Sequence, residues 1–119
     1  MNTDLLNRTK KFSISIIDLI EKLDYSIAKK TVSTQLVRCA TSVGANFRAA
    51  NRARSDKEFI SKLNIVLEEA DESCFWLEII KEKNWLMVES ELKEANELTA
   101  IIVSILKKMN SKVSKSSDS

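Results

Sequence analysis

Apolar residues recur along the chain at steps of three and four, the period that lines one face of an α-helix. Leu5, Phe12, Ile16, Ile20 and Leu23 form one stripe, which predicts a first helix from about Asp4 to Leu23 that Thr3 or Asp4 can cap. Asp24, Tyr25 and Ser26 make the first connection. The second helix begins somewhere between Ile27 and Thr34, where Thr31, Ser33 and Thr34 blur the start, and ends near Ala53. On it Val32, Leu36, Ala40, Val43, Phe47 and Ala50 gather on one side with Cys39 beside them. Ser55 followed by Glu58 is a capping box and opens a third helix that runs to about Glu82. Its core stripe is Phe59, Leu63, Val66, Leu67, Ala70, Cys74 and Leu77. Lys83, Asn84 and Trp85 form a turn in which Asn84 suits a C-terminal cap. Val88, Leu92, Ala95, Thr99, Ile102, Leu106 and Met109 carry a fourth helix from about Val88 to Met109. Four helices joined by short links predict an all-α fold, an antiparallel up-down four-helix bundle over residues 1–110. Residues 111–119 are rich in Lys and Ser, with Val113 the one apolar residue, and are expected to be a disordered tail.

Composition sharpens this picture mainly by exclusion. The 119 residues include one Gly, no Pro and no His. Without histidine there is no Ser-His-Asp or Cys-His nucleophile, no imidazole-based zinc site and no Glu-x-x-His di-iron bundle. One glycine excludes a P-loop or a dinucleotide fingerprint. No catalytic, cofactor-binding or metal-binding residues are assigned, and the chain is expected not to be an enzyme. The acidic pairs Glu68-Glu69 and Asp71-Glu72 read as a solvated or intersubunit face rather than as hydrolytic carboxylates. Cys39 and Cys74 are isolated thiols on apolar faces, suited to core filling in a reduced, cytoplasmic protein. The first residues do not look like a signal peptide, and no apolar run approaches the roughly 18 residues of a membrane span. No membrane partner is therefore expected.

The net charge of +2 hides a segregation. Residues 1–54 hold ten basic and four acidic side chains, whereas residues 55–106 hold five basic and twelve acidic. Such a chain has two electrostatic faces, which can steer an anionic ligand or a copy of itself. On the second helix Arg38, Arg48 and Arg52 lie with Thr41 and Ala45 opposite the core side. These guanidiniums suit bidentate phosphate contact, with Lys29 and Lys30 in support, and they equally suit pairing with carboxylates of a neighbouring helix or subunit. No aromatic stands among them, so base stacking is not indicated.

The third helix has apolar residues on two sides. Ile65, Trp76 and Ile79 interleave with Glu69 and Glu72 opposite the core stripe. One reading is a self-association surface in which these glutamates meet arginines of the next copy, a heterologous contact that closes into a ring. The other is that Trp76 folds against a neighbouring helix of its own chain. Gly44 lies inside the second helix, where a close approach of another backbone would justify it. Asn46, one turn beyond Ser42, would then hydrogen-bond across that contact.

Three stretches carry a resemblance. Residues 35–50, QLVRCATSVGANFRAA, residues 55–65, SDKEFISKLNI, and residues 68–77, EEADESCFWL, are similar to segments of the four-helix-bundle family of the 23S rRNA intervening-sequence type. Ser42, Asn46, Phe59, Glu69, Glu72 and Trp76 match its recurring positions, while Ala49 stands where the family usually has Glu. The resemblance implies a ring-like homopentamer; together with the second apolar side of the third helix it makes Ser42, Asn46, Ile65, Glu69, Glu72, Trp76 and Ile79 the candidate interface. A more distant group of this fold presents a basic surface to nucleic acid and to a reverse transcriptase. The expected partners are thus copies of the chain itself, and RNA, DNA or a reverse-transcriptase-like protein met by the basic second helix. The competing expectation is a protein-interaction scaffold that binds no nucleic acid.

Overall fold

The computed structural model describes residues 3–118. They form four helices: α1 Thr3–Ile20, α2 Ile27–Asn51, α3 Asp56–Glu82 and α4 Glu89–Asp118, with no strand among the described residues. Each helix packs on its neighbours in the order α1, α2, α3, α4 and back to α1, the last pair touching least. Short links between successive helices make the bundle antiparallel, and it measures 56 × 22 × 22 Å.

Local chemistry sets the helix ends. Ser26 is extended and its hydroxyl accepts the Lys29 amide at 3.0 Å, so α2 starts at the earliest expected position. The hydroxyls of Thr31 and Thr34 do not break the helix; they donate to the carbonyls of Ile27 and Lys30 one turn back. Ser55 caps α3 by accepting the Glu58 amide at 3.1 Å. At the far end Asn84 has a left-handed φ of 55°. The Trp85 amide returns to Ile80 O and the Asn84 amide to Lys81 O, which is a Schellman closure. The α1 stripe ends sooner than its spacing predicts. Leu19 is buried at its end, Ile20 and Leu23 are only partly covered, and 3₁₀-type bonds from Lys22 and Leu23 close the helix after Ile20.

The core follows the predicted faces closely on α2, where all six stripe residues and Cys39 are buried. On α3 the stripe residues Phe59 and Leu67 are half-buried, while Ser73 and Ile80 join the interior. On α4 Leu98 is fully buried alongside Ala95 and Ile102, and Thr99 sits at the margin. α4 continues to Asp118, so residues 111–118 are helical where a disordered tail was expected. That stretch holds neither Gly nor Pro, and Lys112 reaches the Asp56 carboxylate at 3.3 Å beside the start of α3. Ser119 lies outside the described residues.

Candidate nucleic-acid interface and assembly face

The charge segregation is partly used to join the two halves of the bundle. At the α1–α4 seam Arg8 forks onto Glu94 with two bonds of 2.7 Å and reaches Glu97 at 3.0 Å. At the α2–α3 seam Arg38 contacts Glu69 at 3.0 Å and also pairs with Glu72. Its Nε donates to Gln35 Oε1 at 3.1 Å. Each seam thus holds one arginine clamped on two glutamates, Arg8 bidentate on Glu94 and Arg38 with one N–H to each carboxylate. Hydrogen bonding to Glu94 raises the already high Arg8 pKa further, and bonding to Glu72 does the same for Arg38. Arg38 is therefore engaged inside its own chain, and so are the glutamates expected to attract arginines of another copy.

Trp76 belongs to the same cluster. It is half-buried against the core and its Nε1–H donates to Glu72 Oε2 at 3.0 Å. That bond, followed by Arg38, holds the Glu72 carboxyl below its ordinary range. Ile65 and Ile79 are likewise half-buried rather than bare. The large apolar residue of this helix that stands exposed is Phe75, 53% exposed and edge-on to the Trp76 ring at 5.0 Å. Phe75 was not singled out because its neighbour Trp76 dominated the pattern. Within the chain the Asn46 amide donates to Ser42 O and Ser42 Oγ at 3.0 and 2.8 Å, along α2.

The close approach predicted at Gly44 is present, and its partner is α1. A Cβ there would lie 2.6 Å from Ser13 Oγ and 3.3 Å from Thr9 O. Ser13 Oγ donates across the seam to Ala40 O at 2.7 Å. Outside this contact the two helices share a groove of about 460 Å³ lined by Leu6, Asn7, Lys10, Ser13, Thr41, Gly44, Ala45, Arg48 and Arg52. Its lining carries three cations and no acid. Among the described residues, Lys10, Arg48 and Arg52 enter no ion pair.

The five predicted phosphate contacts therefore divide. Arg48 and Arg52 come together at the groove. Arg38 lies at the other flank of α2, clamped by Glu69 and Glu72. Lys29 pairs with Asp24 at 2.6 Å and sits 5.8 Å from the centre of the Trp85 ring, tying the α1–α2 link to the α3–α4 turn. Lys30 is exposed near the start of α2. Lys10 and Asn7, contributed by α1, were not predicted, and Gly44 is the one signal in the sequence that pointed at this seam.

Both thiols are buried and burial pushes each upward from the ordinary cysteine value. Among the described residues no group of Cys, Asp and Glu is arranged to hold a metal ion. None of the described helices is long and apolar enough to cross a membrane.

Comparison with known proteins places this geometry. No curated protein matches the chain. A crystal structure of a protein of unknown function from the S23 ribosomal protein family of Bacteroides thetaiotaomicron is similar over 87% of this chain and 98% of that one. The two are 31% identical with a TM-score of 0.78. The family described as 23S rRNA-intervening sequence protein matches residues 1–111. From the QLVRCATSVGANFRAA segment to the four-helix packing around it, the chain belongs to the 23S rRNA-intervening sequence protein family.

Proposed function

We propose that this protein is a non-enzymatic, self-associating four-helix bundle that binds RNA or DNA through the basic outer surface of α1 and α2. One observation carries the reading: after Arg8 and Arg38 are consumed by glutamates at the two seams, Lys10, Arg48 and Arg52 remain unpaired on one face. Cations left without acids on a surface attract a polyanion and release its counterions. Self-association, as the homopentameric ring that the family resemblance implies, would repeat this face around the assembly and multiply weak contacts. A cytoplasmic setting suits two reduced thiols.

The competing reading, a protein-interaction scaffold without nucleic acid, is favoured by the bare apolar side chains Ile14, Ile17 and Phe75. A salt titration separates the two. Fluorescence anisotropy with mixed-sequence RNA and DNA should show binding at low salt that weakens steeply as salt rises. Absence of binding at low salt would leave the scaffold reading.

A further inference from the structure

We propose that the α1–α2 groove over Gly44 is a seat for the sugar–phosphate backbone of single-stranded RNA, held by Lys10, Arg48 and Arg52. This rests on the nucleic-acid reading above and assigns it a place, a strand type and residues.

The register of the two helices arranges the charges. The position of a Gly44 Cβ lies 3.6 Å from the Lys10 Cα, so Lys10 stands level with Gly44. Arg48 and Arg52 follow at one and two turns along α2, each turn about 6 Å for four residues. Lys10 from α1 and Arg48 and Arg52 from α2 thus flank the groove from its two sides over about 12 Å, a track that a phosphate chain can follow. Nothing acidic interrupts the track. The groove's volume of about 460 Å³ falls in the range that encloses a small ligand, which suits a short stretch of one backbone and not a duplex.

The uncharged lining favours RNA. Thr41 Oγ1 donates to Val37 O at 2.7 Å, which leaves its lone pairs to accept a hydrogen bond from a ribose 2′-hydroxyl. Asn7, exposed on α1, offers both a donor and an acceptor. No aromatic ring lines the groove, so bases have no stacking platform and recognition is of backbone rather than sequence.

The test uses the full chain and single-stranded RNA oligonucleotides of about 15 nucleotides, with DNA of the same sequence and an RNA duplex beside them. Lys10→Gln, Arg48→Gln and Arg52→Gln alter exposed side chains and should leave thermal melting unchanged. Each should weaken RNA binding several-fold at low salt, and the triple variant should lower the salt slope by about 2, at about 0.7 per lost contact. A paired Lys29→Gln, Lys30→Gln variant should bind nearly as wild type does. If the groove variants bind like wild type while the paired variant fails, the groove is overturned and the nucleic-acid reading stands. If the unaltered protein binds no nucleic acid at low salt, both fall. DNA or duplex RNA bound as tightly as single-stranded RNA overturns the strand assignment.

Discussion

Gly44 sits in the middle of a 25-residue helix, where glycine costs about 0.5–1 kcal/mol relative to alanine. The position keeps it because the Ser13 hydroxyl and the Thr9 carbonyl of α1 occupy the space a Cβ would take. Gly44→Ala should therefore lower stability by about 1–2 kcal/mol, overpacking outweighing the gain in helix propensity. Urea unfolding would measure this, and Ser13→Ala in the same chain should restore part of the loss. Glu72 gives a prediction in pH. Trp76 Nε1–H and Arg38 hold its carboxyl down, so the folded state favours the ionised form more than the unfolded state does. The stability this confers is fully present above the ordinary carboxylate pKa and is lost as pH falls through the depressed one. Wild type should lose more stability between neutral pH and about pH 3 than Glu72→Gln does, by urea midpoints at each pH. In Trp76→Phe the Glu72 carboxyl should titrate higher, read from its carbon chemical shift. That Gly44 needed a close neighbour was legible from one residue; that Arg38, Glu69, Glu72 and Trp76 form one intrachain cluster was not. Arg38 lies 31 and 34 residues from Glu69 and Glu72 across the α2–α3 seam, and a helical wheel places a residue on a face without naming what faces it.

The two ends of α3 were legible because their chemistry is local. Ser55 and Asn84 were both identified by type and position, and both act as expected. Asn84 occupies the left-handed position of the closure after α3, which glycine adopts without penalty and alanine does not. Asn84→Ala should cost about 1 kcal/mol and Asn84→Gly should match or exceed wild type, as melting temperatures would record. The end of α1 was misread for a reason of the same kind. The apolar spacing runs on to Leu23, yet Ser26 captures the amides of the next helix and the chain turns early. Periodicity reports which side is buried, whereas a cap decides where the helix stops. Leu98 was missed on α4 because Thr99 kept the alternating spacing unbroken. The burial of Leu98 against the bundle shows that a 100° step tolerates either neighbour at the margin of a face.

The assembled bundle has one seam-facing arginine for each half-to-half junction and a surplus of cations on α1 and α2. It also exposes apolar side chains, among them Phe75 on α3 beside the half-buried Trp76. If this face joins copies, sedimentation of the intact protein should give a multiple of 13.5 kDa, and Phe75→Glu should reduce it without loss of helix content. An unchanged mass would remove this face from the assembly. The fold class, the core face of α2 and the caps at Ser55 and Asn84 follow from spacing and residue type alone, since a 3.6-residue period and a capping side chain act within one turn. Which cations stay free was settled only by the packing. Arg38, Arg48 and Arg52 share one stripe of α2 with Lys29 and Lys30 in support, and the bundle gives Arg38 two glutamates, gives Lys29 an aspartate and an indole, and leaves Arg48 and Arg52 beside a lysine from α1. Charge pairing between helices depends on their order and register, and those arise when all four faces are buried together.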